Sequence, residues 1–409
     1  MQRLSGVPRD YAWGSHDAIP ALMGAAPSQQ PLAELWFGAH PGGAARFVPS
    51  FNAREGADHA SDGDLRALIE REPVGVLGED VVNRFGAQLP YLLKLIAPAR
   101  PLSLQVHPHL ERARERFRAE EAAGIPVDAP ERNYRDENHK PELVFAVTTF
   151  EAMCGFRAPR RAAELLSGLG VDVTDRLHAV LRADPSAAGM RTAFRGLLEP
   201  STRPERAEVD AVMAACAARL RSGSPSPRAD RTVVMLGREH PGDPGVVASL
   251  LLNPVTLHPG EALFVPAGGV HAYLSGLGVE IMASSDNVLR AGLTAKHIDV
   301  AEMLKCVDYV AAPPIRLAPE VFHGATRVFY APVDDFELSV TELEDAGRAS
   351  QHPLPGRGPR VILCLAGEVE VATATDTATL TRGEAIFVRA DEGGVSVRGS
   401  GTLVQADVP

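Results

Sequence analysis

Residues 258–267 read His258-Pro259-Gly260-Glu261-Ala262-Leu263-Phe264-Val265-Pro266-Ala267 and give the clearest fold signal in the chain. The pattern returns at residues 381–390 as Thr381-Arg382-Gly383-Glu384-Ala385-Ile386-Phe387-Val388-Arg389-Ala390. In each copy a Gly-Glu pair precedes four apolar residues, which predicts a tight turn that leads into a short buried strand. Two copies of one turn-and-strand unit predict two β domains of similar design.

Both copies resemble the second motif of the cupins, a family of small antiparallel jelly-roll barrels. Only the first copy is followed by a histidine at the right place, which is His271 in the turn Gly268-Gly269-Val270-His271-Ala272-Tyr273. Residues 391–395 contain no histidine. The resemblance therefore implies that one barrel carries a site and that the other is degenerate.

Between the N-terminal part of the chain and the first copy of the repeat, the residue pattern becomes helical. We therefore predict a mainly β protein of two cupin-type jelly-roll barrels with an inserted all-helical domain, since 409 residues exceed the usual size of one domain. The catalytic barrel with the metal site would comprise residues 1–157 and 241–320, the insert 158–240, and the second barrel 321–409. The predicted helices, followed by the linker-like stretch Ser222–Pro227, cover residues 162–169, 175–182, 187–198 and 206–221.

Composition and charge exclude several classes of protein. The net charge of −11 argues against a nucleic-acid partner and against binding to an anionic membrane surface. No apolar run reaches the length of a membrane span, and the first ten residues lack the apolar core of a secretory signal. We expect a cytoplasmic monomer that acts on a small molecule, with reduced thiols at the widely spaced Cys154, Cys216, Cys306 and Cys364.

Lysine is rare in this chain. Of the 41 basic residues only four are lysines, namely Lys94, Lys140, Lys296 and Lys305. Because arginine serves almost everywhere, a remaining lysine indicates a place that needs a compact ammonium with a tunable pKa, although chance is the alternative. Lys94 also interrupts the apolar run Pro90–Ala97, which predicts a buried strand, so its charge requires a partner or a role.

A second predicted strand has an unusual polar face. In the stretch Pro101-Leu102-Ser103-Leu104-Gln105-Val106-His107-Pro108-His109, polar and apolar residues alternate. On a strand, this period of two would place Ser103, Gln105 and His107 on one face. A half-buried strand with a solvated polar face is the plain alternative.

Two residues elsewhere in the sequence favour a metal site over that alternative. Glu142 begins another predicted strand, and His271 lies in the glycine-rich turn described above. With Gln105 and His107 they would form a four-ligand shell of two imidazoles, one carboxylate and one amide oxygen. Zinc suits two histidines and a carboxylate, whereas an amide is an unusual fourth ligand. Such a site suits proton transfer next to a carbonyl group.

Three motifs together are similar to the type I mannose-6-phosphate isomerases, also called phosphomannose isomerases. They are Gln105-Val106-His107-Pro108, Asn138-His139-Lys140-Pro141-Glu142 and Asp286-Asn287-Val288-Leu289-Arg290-Ala291-Gly292-Leu293-Thr294, and the resemblance covers nearly the whole chain. It implies one zinc ion per chain on Gln105, His107, Glu142 and His271, with a catalytic arginine at Arg290. It also implies a sugar pocket with a candidate phosphate ligand, Lys296, and with Lys140, Glu280, Asp286, Ser103 and Tyr273.

The family's reaction interconverts mannose 6-phosphate and fructose 6-phosphate. We hypothesise that a base removes the C2 proton to give a cis-enediolate, that Arg290 stabilises the oxyanion, and that the proton returns to C1. The sequence leaves the base open among three side chains, with Asp286 as their partner: Lys140, Glu280 and His139. It also leaves open whether the flux runs toward GDP-mannose synthesis or toward mannose use.

The sequence departs from the family pattern at three places. Residues 42–45 are Gly-Gly-Ala-Ala where a basic or hydroxyl residue is usual, and Val270 and Ala295 stand where the family usually has proline.

Two rival functions remain. The first rival is an iron-dependent cupin dioxygenase, because two histidines and a carboxylate also bind iron. The second is a sugar-phosphate-binding cupin without catalysis. Metal analysis and an assay with mannose 6-phosphate would separate them.

Overall fold

The computed structural model describes residues 1–48, 63–344 and 350–409. Within these ranges the strands are, in chain order, β1 (Gln2–Ser5), β2 (Val7–Arg9), β3 (Glu34–Phe37), β4 (Ala39–His40), β5 (Gly43–Ala44), β6 (Arg46–Phe47), β7 (Tyr91–Ile96), β8 (Leu104–Val106), β9 (Glu142–Ala146), β10 (Phe150–Phe156), β11 (Leu252–Leu257), β12 (Ala262–Val265), β13 (His271–Ser275), β14 (Gly278–Ala283), β15 (Leu289–Gly292), β16 (Ile315–Leu317), β17 (Glu320–Phe322), β18 (Thr326–Phe329), β19 (Glu337–Leu343), β20 (His352–Pro353), β21 (Arg360–Ala372), β22 (Thr377–Thr381), β23 (Ala385–Val388) and β24 (Ser396–Asp407). The α-helices are α1 (Ala18–Leu22), α2 (Leu65–Arg71), α3 (Pro73–Leu77), α4 (Glu79–Phe85), α5 (Leu110–Ala122), α6 (Pro159–Leu166), α7 (Asp172–Ala183), α8 (Ala187–Leu198), α9 (Arg206–Ser222), α10 (Pro227–Glu239), α11 (Gly245–Ala248) and α12 (Val300–Cys306).

The strands form three large antiparallel sheets. A five-stranded sheet has the order β11-β10-β13-β8-β15, and a seven-stranded sheet has the order β16-β12-β9-β14-β7-β3-β2. The third sheet has ten strands in the order β17-β18-β19-β24-β21-β23-β1-β6, with β20 paired to β24 and β22 to β21. The strands β12 and β23, which follow the two Gly-Glu turns, thus lie in different sheets.

The five-stranded and seven-stranded sheets pack face to face. One buried cluster contains Val144 and Val265 from the seven-stranded sheet together with Phe150, Val255 and Tyr273 from the five-stranded sheet. Burying both apolar faces against each other removes them from water, which is the main driving force for this sandwich. Side chains that start on either sheet can therefore meet in the space between them.

The helices between residues 159 and 251 cover the outer face of the five-stranded sheet. Leu104 and Val106 of β8 are fully buried in the same cluster as the apolar residues of α6 to α10. Ser222–Pro227 does not end this helical region: α10 begins at Pro227, and Arg219 of α9 pairs with Asp230 of α10 at 2.5 Å. The proline that indicates a linker in sequence occupies the first helical turn, where its missing N–H is not needed.

The N-terminal strand belongs to the sheet of the C-terminal region. Residues 2–4 of β1 pair with Ala385–Phe387 of β23, and β6 extends the same edge. This pairing joins residues at the two ends of the chain, so local patterns could not reveal it. The proposed domain bounds remain predictions.

The structure confirms a mainly β chain with a large helical segment. In the residues described, the strand pairing gives open sheets, so the two closed barrels also remain a prediction. The sequence of residues 62–71 also predicts a helix, with Asp62 or Asp64 as its N-cap. The helix begins at Leu65 with Asp64 as the N-cap, while Asp62 lies outside the described residues. The four cysteines are free and buried, and across the described ranges no helix is both long and apolar enough to cross a membrane.

Candidate metal centre and substrate cavity

Three predicted ligands meet between the two packed sheets. Nε2 of His107 lies 3.1 Å from Oε1 of Glu142, and Nε2 of His271 lies 3.3 Å from Oε2 of the same carboxylate. Their ligand atoms all fall within 4.8 Å of one another, and all three residues are buried. His271 begins β13 of one sheet and Glu142 begins β9 of the other, so the packing of the sheets creates the group.

The hydrogen bonds of both imidazoles fix their tautomers. Nδ1 of His107 contacts the carbonyl oxygen of Asn287 at 2.8 Å, and Nδ1 of His271 contacts that of Gly269 at 2.9 Å. A carbonyl only accepts, so each Nδ1 carries the proton, and in the neutral ring Nε2 then presents a lone pair. These two buried lone pairs face a carboxylate and lack a hydrogen-bond donor. A cation in their midst would satisfy all three groups, which is the arrangement that zinc and similar metals require.

The charge states of these groups suit a metal. Burial lowers the pKa of His107 to about 4, although the neighbouring Glu142 acts in the opposite direction. Burial alone would raise the pKa of Glu142, but Lys140 and the His107 imidazole hold it well below its usual value. At neutral pH the group therefore offers the neutral imidazole of His107 and the ionised carboxylate of Glu142, which are the forms that bind metals.

Gln105 lies beside this group. Strand β8 runs between β13 and β15, and Gln105 stands opposite His271 on one side and Arg290 on the other. Because Leu104 and Val106 point into the helical core, Gln105 points to the opposite face, where it lines the cavity. This position makes its amide oxygen available to the metal centre.

A cavity of about 870 Å³ opens next to the three metal-binding residues. This volume lies in the usual range of small-molecule sites. Most of the side chains predicted for the site line the cavity, namely Ser103, Gln105, Lys140, Glu142, Tyr273, Glu280, Asp286, Arg290 and Lys296. His107 and His271 lie fully buried behind its wall.

Two cavity residues contact Glu142 directly. The Tyr273 hydroxyl donates a hydrogen bond to Oε2 of Glu142 at 3.2 Å, and Nζ of Lys140 lies 3.1 Å from Oε1. Asp286, at the cavity edge, lies 3.6 Å from Nε2 of the buried His40. His40 therefore stands behind a cavity residue.

His139 is not brought to the cavity. Its Nε2 contacts Oδ2 of Asp335 at 3.0 Å, in the loop between β18 and β19. The side chain thus points toward the C-terminal region, away from Lys140 and the metal group. The next residue, Lys140, instead places its Nζ 3.1 Å from Oε1 of Glu142. His139 is therefore dropped as a candidate base.

A buried ionic group forms the floor of the cavity. Nζ of Lys94 lies 2.5 Å from Oε2 of Glu280 and 3.6 Å from Oε1 of Glu34, while Nε1 of Trp36 donates to Oε2 of Glu34 at 2.6 Å. These residues belong to β14, β7 and β3, which are neighbours in the seven-stranded sheet. Lys94 was conspicuous in the sequence as a charge within an apolar strand, but nothing local identified its partners.

The Glu280 carboxyl and the Lys94 ammonium both have shifted pKa values. Burial raises the pKa of Glu280 to about 7, against the effect of Lys94. Burial would lower the pKa of Lys94, but Glu280 and Glu34 hold it above its ordinary value. A carboxyl group whose pKa is near neutrality can both take up and release a proton under working conditions.

Cations collect at another part of the cavity. Arg135, Arg290 and Lys296 line it together, and Arg135 was missed by the sequence analysis. Burial, together with Arg135, lowers the pKa of Arg290, and burial with both arginines lowers that of Lys296. In the part of the chain that the structure describes, no carboxylate contributes to either shift. Like charges held close together form a site for an anion such as a phosphate group.

The fold and the site define a metal-binding β-sheet protein with a cavity for a small anionic molecule. Comparisons narrow this class. Residues 1–159 match the family model for the phosphomannose isomerase type I catalytic domain. The chain is 41% identical to the mannose-6-phosphate isomerase of Salmonella typhimurium and 39% identical to that of Escherichia coli, with 99% of each chain covered in both cases. This chain belongs to the type I mannose-6-phosphate isomerase family.

Solved structures agree with the sequence comparisons. A mutant phosphomannose isomerase from Salmonella typhimurium superposes with a TM-score of 0.87 at 38% identity, covering 100% of this chain and 99% of the other. A zinc-bound mannose 6-phosphate isomerase gives a TM-score of 0.86 at 38% identity with the same coverage. The relative from Rattus norvegicus is 31% identical, over 95% of this chain and 93% of the other. The likeness thus extends over the entire fold.

Proposed function

We propose that this chain interconverts mannose 6-phosphate and fructose 6-phosphate with one zinc ion. His107, Glu142 and His271 would hold the metal, with Gln105 as a fourth ligand. One observation carries the proposal: the two imidazole lone pairs and the Glu142 carboxylate converge beside a cavity that is also lined by Arg135, Arg290 and Lys296. The relatives that share this fold are named for the same reaction.

The cavity orients the sugar phosphate from its two ends. The cations Arg135, Arg290 and Lys296 would bind the phosphate group or the developing oxyanion, because a guanidinium matches oxyanions with paired donors. Carbons 1 and 2 of the open-chain sugar would then lie near Glu142. When bound, zinc would supply Lewis-acid polarisation of the sugar oxygens.

Proton transfer between C2 and C1 requires a group that changes its protonation state. Of the remaining candidates we assign this role to Glu280, because burial brings its pKa to about 7 and Lys94 stabilises the carboxylate form. The carboxylate would take the C2 proton to leave a cis-enediolate, the hydroxyl proton would move from O2 to O1, and the Glu280 carboxyl would return its proton to C1. Arg290, a permanent cation, would stabilise the negative charge on the enediolate oxygen. Lys140 and Asp286 would orient Glu142 and the sugar hydroxyls.

The remaining proposals concern fold, location and assembly. The Gly-Glu repeat and its two strands, β12 and β23, support two related cupin-type units. We keep residues 1–157 with 241–320 as the catalytic unit, 158–240 as the helical insert and 321–409 as the second unit. We also keep a cytoplasmic monomer without a nucleic-acid partner as the expected state.

A pH profile tests the assignment of Glu280. A base works only when deprotonated, so kcat/KM should rise with pH through the pKa of about 7 and level off above it. Glu280→Gln should lower kcat by about 10³-fold while zinc stays bound. Lys94→Met should move the rising limb to higher pH, because the ammonium that stabilises the carboxylate is gone. A Glu280→Gln enzyme with full turnover would refute the assignment.

The cationic part of the cavity predicts an effect on substrate binding. Replacing both Arg135 and Lys296 with alanine should raise KM for mannose 6-phosphate by about 10²-fold, since two charge-assisted hydrogen bonds to phosphate are lost. The zinc content should stay unchanged. Arg100→Ala, at the cavity mouth but paired with Glu239 at 2.9 Å, is the matched control and should change KM little. An unchanged KM in the double variant would remove the phosphate from this part of the cavity.

A further inference from the structure

One buried amide connects the metal centre to the loop that carries Arg135 and Lys140. Asn287 is fully buried, and its Oδ1 accepts a hydrogen bond from the backbone N–H of Arg135 at 2.7 Å. Its Nδ2 donates to the carbonyl oxygens of Asp136 and Asn138, each at 2.8 Å. A single side chain thus fixes the backbone on both sides of the turn between Arg135 and Lys140.

The backbone of the same residue holds a metal ligand. The carbonyl oxygen of Asn287 accepts the Nδ1–H of His107 at 2.8 Å. This bond fixes the tautomer that turns the Nε2 lone pair toward Glu142, and it sets the orientation of the ring. The position of the Asn287 backbone therefore determines where the imidazole points.

A side chain of the loop also holds the segment that contains Asn287. Asp136 accepts the backbone N–H of Asp286 at 2.7 Å and the hydroxyl of Ser285 at 2.8 Å. The loop 134–140 and the segment 285–290 are thus joined by side chains from both. Since one carries Arg135 and Lys140 and the other carries Asp286 and Arg290, any shift at this joint moves several cavity residues together.

We propose that Asn287 is a positioning residue that fixes the metal centre and the cationic part of the cavity relative to each other. The inference rests on the proposed function, because the proposed function places the metal and the phosphate at this site. Without the amide, the loop loses its anchor at Arg135, and the carbonyl that orients His107 loses its fixed position. A purely structural amide would affect stability alone.

The variant Asn287→Ala separates these two roles. Zinc affinity, measured on the metal-free protein by competition with a chromophoric chelator, should fall by about 10- to 100-fold, the usual effect of losing support behind a metal ligand. At saturating zinc, KM for mannose 6-phosphate should rise by about tenfold because Arg135 has lost its anchor. The visible spectrum of the cobalt-substituted protein should change as well, since it reports the geometry of the ligands.

Gln405→Ala is the matched control. Gln405 is also a buried amide, and its Nε2 donates to the carbonyl of Pro355 at 2.9 Å in the ten-stranded sheet, outside the cavity. This variant should lower the melting temperature while zinc affinity, cobalt spectrum and KM stay as in the wild type. If Asn287→Ala behaves the same way, the positioning role is refuted.

A second substitution covers the case in which Asn287→Ala does not fold. Asn287→Asp keeps the size of the side chain and the acceptor for the Arg135 N–H, but it removes the donors to Asp136 and Asn138. Zinc affinity should fall by about tenfold or more, with a smaller rise in KM than in the alanine variant. Wild-type zinc affinity in the aspartate variant would overturn the inference. Inactive wild-type enzyme would instead refute the proposed function, and the zinc measurements do not depend on activity.

Discussion

Arg290→Ala should lower the turnover of mannose 6-phosphate by about 10³-fold or more while leaving the bound zinc in place, since it removes a preorganised cation from the developing oxyanion. The side chain stands on β15, opposite Gln105, and lines the cavity. Burial and Arg135 lower its pKa, yet a guanidinium remains charged at any working pH. Its effect should therefore be independent of pH.

The control for this experiment is Arg290→Lys. It keeps the positive charge but loses the planar fork of donors, so turnover should lie between those of the alanine variant and the wild type. Zinc per chain, measured by elemental analysis, should be equal in all three proteins. Full activity of Arg290→Ala would remove this residue from the chemistry.

Glu142→Gln should abolish both zinc binding and activity. The substitution keeps the shape of the side chain but removes the negative charge that lies 3.1 and 3.3 Å from the two Nε2 atoms. Zinc affinity should fall by more than about 100-fold, beyond the loss typical of residues that only support a ligand. In the wild type, zinc at a thousandfold excess over its dissociation constant should add about 4 kcal/mol to the free energy of unfolding, and the variant should lose this increment.

The matched control is Glu261→Gln. Glu261 lies in the first Gly-Glu turn, where its carboxylate accepts the backbone N–H of His258 at 2.8 Å and pairs with Arg316 at 3.0 Å. It is not among the cavity residues, so zinc affinity and turnover should remain those of the wild type. If Glu142→Gln retains full zinc affinity, the assignment of the metal centre is wrong.

The residues of the candidate metal centre could be identified from the sequence because each has a strong local context. His107 follows an alternating strand, Glu142 begins an apolar strand, and His271 follows a Gly-Glu turn with its strand. The geometry that brings them within 4.8 Å was not predictable from these patterns, because it depends on the packing of two different sheets. Motifs identified the participants, and non-local strand pairing determined their positions.

Residues whose role depends on distant partners were harder to find. Arg135 lies in a polar loop, and its backbone N–H is held by the distant Asn287. The partners of Lys94 come from two other strands. The scarcity of lysine was nevertheless informative, since Lys94, Lys140 and Lys296 all line the cavity and only Lys305 does not. His139 stands in the same motif as Lys140, and its direction depends on backbone geometry that composition does not encode.

An assay with the zinc-loaded protein tests the central claim most directly. Mannose 6-phosphate is supplied as the only sugar, and fructose 6-phosphate is detected by a coupled reaction. We expect steady turnover. It should be lost when a chelator removes the metal, and it should return when zinc, but not magnesium, is added. If the zinc-loaded protein forms no fructose 6-phosphate, the proposed function is contradicted.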